Sequence, residues 1–465
     1  MRSIPGTLAT AAAASVLASA AQSGPAPTGS ILVRQTEGTA RFAAAPSLSW
    51  RPVPAAPEGA IQLDASHTYQ EILGFGAAFT DASCYLIHQL PPEAREKLLH
   101  ELFHPSEMGF LVGRVPLGAS DYSTSLYSFD EGDPDPDLLH FSIDHDRAYM
   151  LPVLAQARQM APELFLFGSA WSPPGWMKAN ASMLGGSMRK KYFGAYAQYL
   201  LRSLEGYAEA GVPLQALTVQ NEVDTDQDGR MPACLWGQEY EMQFVAKHLG
   251  PALAASRNPA KIWILDHNYN LWGRVLDELE DPEVARYVDG VAWHGYFGSP
   301  GAMTRVHDAY PAKHMYWTEG GPDYKSPDYL TDWAKWGAMY AGVLRNYARC
   351  IVGWNLALDE KGCPNIGPFS CGGLVQIHSG TQEITRSGQY WAFAHYARAM
   401  RRGARRIAST GKADGVSHVA VINPDGSKAA VLTNSGAVRS VRLWMGGSQA
   451  EATLPAGSIS TLTWK

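Results

Sequence analysis

Cysteine is scarce in this sequence, with 5 residues among 465. That number is too small for a fold that depends on disulfide bonds, and because it is odd, at least one thiol of an exported monomer would stay unpaired. Cys363 and Cys371 are close enough in sequence to close a short loop, although the sequence does not establish that they pair. The sequence contains no Cys-x-x-Cys pair, so we expect no structural zinc and no other metal.

Excess charge of either sign is equally limited, since 38 lysines and arginines face 44 aspartates and glutamates, for a net charge of −6. This balance provides no positive field for a nucleic acid. With 46% hydrophobic and 18% charged residues, the composition is that of a folded globular protein. We therefore expect no nucleic-acid partner, and no obligatory protein partner is evident.

Long apolar runs are missing after the amino terminus. Residues 1–20 hold one early cation, Arg2, followed by an uncharged, alanine-rich stretch that ends in Ala18-Ser19-Ala20. This is the layout of a secretory signal peptide, and the stretch is too short and too rich in alanine for a membrane anchor. No later uncharged run approaches the roughly 18 apolar residues of a membrane span. The sequence thus predicts a secreted or periplasmic protein without a membrane span.

From residue 66 to 402 the chain alternates short β-rich apolar runs with longer helical patterns. Such an alternation indicates parallel strands that are covered on both faces. Eight runs predict an α/β fold of the (β/α)8 TIM-barrel type, and no glycine-rich dinucleotide fingerprint follows the first run, so no cofactor is implied. The runs are Glu71–Phe79, Phe110–Leu117, Leu164–Trp171, Leu214–Glu222, Ile262–His267, Val291–Tyr296, His314–Glu319 and Cys350–Ala357.

The two ends of the chain have a different pattern. Residues 403–465 contain short β-rich segments separated by Asn423–Gly426 and Asn434–Gly436, which are hairpin signals. Residues 28–65 also have a β pattern. We therefore expect the N- and C-terminal strands to form one β-sandwich attached to the barrel.

Two glutamates fall where TIM-barrel chemistry takes place, at the carboxyl ends of strands. Glu222 ends the fourth run and Glu319 the seventh, so their side chains can converge across the mouth of the barrel. Two converging carboxyls suit glycoside hydrolysis, in which one protonates the leaving oxygen and the other attacks the anomeric carbon. The sequence does not measure whether they are about 5–5.5 Å apart, as retention requires, or about 6.5–9.5 Å apart, as inversion requires.

Seven motifs occur in order along the chain. They are GFGAAFTDA (74–82), RVPLGASDYS (114–123), SAWSPPGWMK (169–178), TVQNEVD (218–224), WHGYFG (293–298), WTEGG (317–321) and GWNLALDEKGCPN (353–365). In these motifs the sequence resembles the glucosylceramidase family of retaining β-glycosidases, glycoside hydrolase family 30. The resemblance implies a (β/α)8 barrel with a β-sandwich, and cleavage of β-glucosidic bonds in a carbohydrate or glycolipid by double displacement.

The resemblance also implies roles for individual residues. Glu222 matches the general acid/base and Glu319 the nucleophile. Six residues match positions that bind the sugar or lie beside the carboxyls: Asp121, Trp171, Asn221, His294, Tyr296 and Trp354. Of these, Asn221 is expected to contact the sugar 2-OH, and His294 either orients Glu319 or bonds internally.

Three other interpretations of the sequence have to be weighed against a glucosylceramidase-like hydrolase. The segments Val352–Asn355 and Ile366–Gly373 depart from the glucosylceramidase pattern, so a β-1,6-glucan or a β-xyloside is an alternative substrate. A carbohydrate-binding protein without catalysis is the alternative from another class, and it is disfavoured because both glutamates are present. His100–His104 matches HExxH, a zinc-peptidase motif, but Pro105 should end that helix, and the helix precedes the second barrel strand, away from the catalytic face.

Overall fold

The computed structural model describes residue 27 and residues 29–465, so the predicted signal peptide lies outside the described residues. Four strands precede the barrel: β1 (Ser30–Glu37), β2 (Ala40–Ser49), β3 (Arg51–Pro52) and β4 (Ile61–Glu71). Strand β4 runs across the predicted boundary between residues 65 and 66 and leads to the first barrel strand.

Eight parallel strands then form a closed barrel. They are β5 (Gly74–Ala78), β6 (Val112–Pro116), β7 (Phe165–Ser169), β8 (Ala216–Thr218), β9 (Lys261–Asn268), β10 (Val288–His294), β11 (His314–Glu319) and β12 (Ala348–Asn355). The last strand, β12, pairs with the first, β5, and closes the barrel. Each strand lies within or overlaps one of the eight predicted runs, so the predicted TIM barrel is confirmed.

Helices connect the barrel strands and cover them from outside. In the described part of the chain they are α1 (Asp81–Gln89), α2 (Pro92–Phe103), α3 (Asp144–Arg147), α4 (Met150–Met160), α5 (Phe193–Glu209), α6 (Gln238–Phe244), α7 (Gly250–Ala255), α8 (Trp272–Glu280), α9 (Pro282–Ala285), α10 (Gly301–Ala309), α11 (Trp333–Arg345) and α12 (Gly388–Ala397). Their apolar faces form one large buried core with the outer faces of the strands. Within residues 29–465, no helix is both long and apolar enough to cross a membrane.

The HExxH segment lies on α2, which ends at Phe103 as expected. Its glutamate, Glu101, forms an ion pair with Arg386 (Nε to Oε1, 2.6 Å) and accepts a hydrogen bond from Tyr390 (2.5 Å). These bonds connect α2 to Arg386, which precedes α12, and to Tyr390 within α12. Glu101 therefore has a structural role.

The C-terminal strands complete a ten-stranded sheet with β1–β4. After a small sheet of β13 (Ala357–Leu358), β14 (Val375–Ile377) and β15 (Ile384–Arg386) come β16 (Arg405–Thr410), β17 (Val416–Ile422), β18 (Lys428–Asn434), β19 (Arg439–Met445), β20 (Ser448–Leu454) and β21 (Ser458–Trp464). Strand β1 pairs with β21 and β4 pairs with β16, so strands from the two ends of the chain are hydrogen-bonded neighbours in one sheet. The sheet encloses its own apolar core, which includes Ile31, Leu63, Leu432 and Leu462.

Candidate active site

Side chains inside the barrel form two layers. The lower layer is a buried apolar cluster made of Val112, Phe167, Ala216, Trp263, Ala292, Tyr316, Cys350 and Val352. Because side chains alternate along a strand, the residue two positions further on points inward as well. On six strands that residue is Arg114, Ser169, Thr218, His294, Thr318 or Trp354. A mostly polar layer therefore lies above an apolar one, at the end of the barrel where TIM-barrel sites occur.

Strand β9 reaches the same layer through a β-bulge. Ala292 of β10 pairs with Leu265, and Trp293 with His267, so Asp266 is an extra residue. Leu265 and Asp266 have φ angles of 72° and 45°, left-handed values that side chains other than glycine rarely adopt. The bulge brings two consecutive side chains inside, with Asp266 in the polar layer and His267 in the cavity above it.

Arg114 is fully buried at the centre of the polar layer. Its guanidinium donates to Oε2 of Glu319, to Asp266 (2.6 Å), to Asn221 (2.7 Å) and to Ser169 (3.1 Å). Burial alone would lower the pKa of Arg114, but the Asp266 and Glu319 carboxylates raise it above its usual value. Arg114 is therefore a permanent cation that binds two carboxylates.

A cavity of about 430 Å³ opens above this layer. It is lined by Asp121, Trp171, Asn221, Glu222, Thr225, Gln227, Met231, His267, Asn268, Tyr296, Glu319, Trp354, Phe369 and Cys371. Seven of the eight residues predicted for the site are in this lining. The eighth, His294, is fully buried and contacts both glutamates from below.

One side of the cavity offers an apolar surface next to a free carboxyl oxygen. The rings of Trp171 and Trp354 stack with centres 5.0 Å apart. Asp121 is 3% exposed, and its Oδ1 has no hydrogen-bond partner among the described residues. Burial, and then the charges of Glu319 and Glu222, raise the pKa of Asp121. Such a combination can bind the C–H face and a hydroxyl of a sugar.

Glu222 follows β8 with a left-handed φ of 54°. Its Oε2 accepts a hydrogen bond from Gln227 (2.8 Å), and its Oε1 lies 3.4 Å from Nδ1 of His294 and 3.6 Å from Nδ1 of His267. The backbone N–H of Glu222 donates to the backbone carbonyl of Asp266 (3.0 Å), which fixes this unusual conformation against the bulge of β9.

Glu319 ends β11 and faces a different set of groups. Arg114 binds its Oε2, and the hydroxyl of Tyr296 donates to its Oε1 (3.0 Å). Nε2 of His294 lies 3.7 Å from Oε2 but is closer to Asp266 (3.0 Å). The imidazole of His294 thus lies between the two glutamates and contacts both.

The groups around Glu222 favour its charged form. Burial favours a raised pKa, but His294, His267 and Gln227 outweigh it and lower the pKa of Glu222. Arg114 compensates the charge of Glu319, whereas the two histidines face Glu222 directly. Burial opposes protonation of His294, but Glu319, Asp266 and Glu222 raise its pKa to about 9. The Glu222–His294 pair therefore holds one transferable proton.

Several residues of the site were not predicted from the sequence. Arg114 and Asp266 each interrupt an apolar run, and a charge inside such a run is the signal that could have found them. His267 ends the fifth apolar run, so its signal is of the kind that identified the two glutamates, whereas Gln227 had none.

The segment Ile366–Gly373 also contributes to the cavity, through Phe369 and Cys371. Ile366 donates to the carbonyl of Asp121 (2.8 Å). The hydroxyl of Tyr122 donates to the carbonyl of Phe369 (3.1 Å) and accepts from the N–H of Cys371 (2.7 Å). The loop is thereby fixed beside Asp121. Cys363 and Cys371, like the other cysteines, are free thiols in this structure.

Two groups of side chains within residues 29–465 could hold a metal ion. They are Glu222 with His267 and His294, and Asp130 with Asp135 and His140; in each group the donor atoms lie within 4.8 Å of one another. In the second group the His140 side chain is 84% exposed and bonds Asp135 through its backbone N–H (2.8 Å) and Nδ1 (3.0 Å). These two bonds close a surface turn.

Known proteins share both the barrel and the sandwich. The sequence matches the glycosyl hydrolase family 30 TIM-barrel domain over residues 72–400 and the family's beta sandwich domain over residues 403–462. The chain belongs to glycoside hydrolase family 30. It is therefore a glycoside hydrolase, and the resemblance inferred from its motifs is confirmed.

Family 30 relatives of two kinds are similar to this chain. Putative glucosylceramidase 4 of Caenorhabditis elegans is 30% identical over 435 residues, which cover 87% of this chain and 83% of the relative. An endo-1,6-beta-D-glucanase of Neurospora crassa is 31% identical over 385 residues, or 78% and 79% of the two chains. A solved endo-beta1,6-glucanase superposes with a TM-score of 0.85 at 26% identity, over 94% of this chain and 100% of that structure.

Proposed function

We propose that this hydrolase cleaves β-glucosidic bonds with retention, by double displacement on Glu319 and Glu222. The supporting observation is that both carboxyls line one cavity, with the same imidazole 3.4 Å from Glu222 and 3.7 Å from Glu319. A retaining pair has carboxyls about 5–5.5 Å apart, and we expect this separation in a crystal structure. A separation beyond about 8 Å would leave room for a water and would favour inversion instead.

In the first step Glu319 is the nucleophile. Arg114 and the Tyr296 hydroxyl stabilise its carboxylate before the substrate arrives. The carboxylate attacks the anomeric carbon and forms an ester as the glycosidic C–O bond breaks. Glu222 gives the leaving oxygen the proton that it shares with His294, so the alcohol departs neutral.

In the second step Glu222 is the base. The ester has removed the negative charge of Glu319, and the Glu222 carboxylate takes a proton from a water molecule. That water attacks the anomeric carbon on the face the alcohol left, and the bond to Glu319 breaks. Asn221 and Asp121 are suited to bind sugar hydroxyls during both steps, since Asn221 is held by Arg114 and Asp121 has a free oxygen.

Covalent trapping tests this mechanism directly. A 2-deoxy-2-fluoro β-glucoside with a good leaving group should label the peptide that contains Trp317, Thr318 and Glu319, and mass mapping would locate the label. The Glu319→Ala variant serves as control and should remain unlabelled. A label on another carboxylate, or hydrolysis by Glu319→Ala, would contradict the proposal, and a carbohydrate-binding protein without catalysis would show neither label nor turnover.

For the natural substrate we propose first a glucosylceramide-like glycolipid and second a β-1,6-glucan. Two aromatic side chains of the cavity lining are also exposed, Tyr296 at 46% and Phe369 at 43%, and Phe297, which follows Tyr296 in the chain, is 66% exposed. Such faces can pack on a lipid or stack on a second sugar. The second candidate is favoured by the endo-1,6-glucanases that match most of the chain.

A substrate panel separates these candidates. An aryl β-glucoside should be cleaved faster than the matching aryl β-xyloside, and glucosylceramide faster than β-1,6-glucan. The reverse order of the last two would establish the second candidate. Cleavage of the xyloside alone would contradict both.

Export is also part of the proposal, on the strength of residues 1–20. Expressed with its natural amino terminus in a secreting bacterium, the protein should be recovered outside the cytoplasm with a sequence that starts after Ala20. Recovery of an uncleaved chain from the cytoplasm would contradict it.

A further inference from the structure

We propose that Glu222, His267 and His294 also bind a divalent transition-metal ion, for which zinc fits best, and that the bound ion inhibits the enzyme. Three protein donors of this kind with one open position match the ligand sets of accessible zinc sites. The inhibition, though not the binding, rests on the function proposed above.

The donor atoms of this group face one another, and a metal ion would take the place of the proton that Glu222 and His294 share. Oε2 of Glu222 is used by Gln227, which leaves Oε1 for another ligand. Nδ1 of His267 and Nδ1 of His294 have no hydrogen-bond partner among the described residues, although the two residues are only 6% and 0% exposed. Each nitrogen therefore has only the carboxyl of Glu222 near it, at 3.6 and 3.4 Å, which is longer than an ordinary N–H···O hydrogen bond, and an ion bound among the three side chains would replace these long contacts by direct bonds.

The spacing of these atoms suits a small tetrahedral ion. Zinc about 2.0–2.1 Å from each ligand separates neighbouring ligands by about 3.3–3.5 Å. Oε1 of Glu222 lies 3.4 Å from Nδ1 of His294 and 3.6 Å from Nδ1 of His267. These two distances would have to change by only a few tenths of an ångström to match the ligand spacing around zinc.

The groups behind the histidines also match those of metal sites. Metal-bound histidines usually donate their second ring nitrogen to a carboxylate, which orients the ring. Nε2 of His267 lies 2.6 Å from Asp224, and Nε2 of His294 lies 3.0 Å from Asp266. Both Nδ1 atoms are thereby aimed at Glu222.

A cation at this site would be attracted by the surrounding carboxylates and could reach it through the cavity. Glu222, Glu319 and Asp121 line the cavity, and Asp224 and Asp266 stand behind the histidines. The buried cation Arg114 neutralises only part of this charge. An ion held on Oε1 of Glu222 would occupy the carboxyl that must carry the proton, so substrate and zinc would compete.

Titration of metal-free, untagged protein with zinc chloride tests the binding. Calorimetry should show one site, and crystals soaked in zinc should give an anomalous peak between Glu222, His267 and His294. His267→Gln should weaken binding more than about tenfold, and Asp224→Asn about 10- to 100-fold through the supporting carboxylate. Asp224 is partly exposed, so this second variant remains informative if the first fails to fold.

The second donor group provides the matched control. His140→Gln should leave the zinc affinity unchanged, because His140 belongs to the surface group with Asp130 and Asp135. Loss of binding in His140→Gln but not in His267→Gln, or absence of a peak at the cavity, would overturn the proposal.

Inhibition is measured separately. Zinc should raise the KM for an aryl β-glucoside without changing kcat, and a chelator should reverse the effect. Zinc bound at the site without loss of activity would overturn the inhibitory part. If the protein cleaved no β-glucoside, calorimetry and the anomalous peak would still decide the binding, so failure of the two proposals can be told apart.

Discussion

Arg114 binds four polar side chains at once, a task that its guanidinium performs because it presents five donors in a fixed plane. Two of the four are the carboxylates of Glu319 and Asp266, which are buried and would repel each other without it. A lysine would bring the charge but not the geometry. The position of Glu319 in the cavity therefore depends on Arg114, which lies in the polar layer below the cavity.

Removal of Arg114 should destabilise the fold as well as the site. Arg114→Met removes the guanidinium that binds two buried carboxylates, and breaking a buried ion pair in this way typically costs about 3–5 kcal/mol in the free energy of unfolding. Arg147→Met is the control, because the Arg147–Asp144 pair is exposed and should contribute no more than about 1 kcal/mol. Chemical denaturation of both variants measures the difference. Equal stability losses would contradict a structural role for the Arg114 network.

Glu222 should matter most for substrates with poor leaving groups. Glu222→Gln removes the proposed proton donor but keeps the shape of the side chain, and acid assistance contributes about 10²–10⁴-fold where the leaving oxygen needs a proton. We expect hydrolysis of an alkyl β-glucoside to slow far more than that of a dinitrophenyl β-glucoside. Steady-state rates on the two substrates check this, and equal losses on both would argue against Glu222 as the acid.

At the scale of elements, the barrel strands could be predicted and the bulge of β9 could not. Each strand is an apolar run that is readable locally, and Glu222 and Glu319 follow two of them. In contrast, the bulge that brings both Asp266 and His267 inside is defined by pairing with β10, a contact between distant parts of the chain. Gln227 reaches Glu222 only because its loop adopts a left-handed φ of 52°, which no local pattern indicates.

The loop after β13 depends on a glycine that touches the site. A Cβ placed on Gly367 would lie 2.5 Å from Cβ and 3.3 Å from Cα of Asp121. Gly367→Ala should therefore displace Asp121 or the loop and lower kcat/KM about 10- to 100-fold, since small displacements of binding groups have effects of this size. Assays on an aryl β-glucoside measure it.

Gly380→Ala is the matched control in a nearby loop. A Cβ there would come no closer than 3.5 Å to the His378 ring, an ordinary contact. Activity of this variant should stay within about twofold of the unmodified enzyme. An unimpaired Gly367→Ala would show that Asp121 tolerates the displacement or does not bind the substrate.

At the scale of the whole molecule, the barrel and the sandwich meet along α11 and α12. A Cβ on Gly337 of α11 would lie 2.6 Å from Thr433 and 2.7 Å from Ile459, so only glycine allows the helix this close to the sheet. Trp333 of the same helix donates to the carbonyl of Gly457 (2.8 Å). The sandwich is thus attached by contacts that continue the barrel's outer core, and we expect both parts to unfold together.

His395 of α12 lies in this interface and is fully buried. Its Nδ1 lies 2.8 Å from the Thr461 hydroxyl of β21, and its Nε2 lies 2.8 Å from the Thr36 hydroxyl of β1. The Thr461 hydroxyl donates to the carbonyl of His395 (3.1 Å), so it accepts from Nδ1–H. Thr36 accepts from the N–H of Phe42 (2.9 Å), so its own proton is free for Nε2. These bonds describe a neutral imidazole.

The interface should therefore weaken in acid. Burial, and then the charge of Arg398, lower the pKa of His395 from 6.5 to about 3, so below pH 6.5 the unfolded chain takes up a proton that the folded chain refuses. The contribution of neutral His395 to the free energy of unfolding is therefore fully present above pH 6.5. It decreases as the pH falls towards 3, by up to about 1.4 kcal/mol per pH unit for one proton. Denaturation curves between pH 4 and 7 should show a flatter dependence for His395→Gln than for the unmodified protein. Parallel curves would mean that His395 is protonated in the folded state, which contradicts the bonds to Thr36 and Thr461.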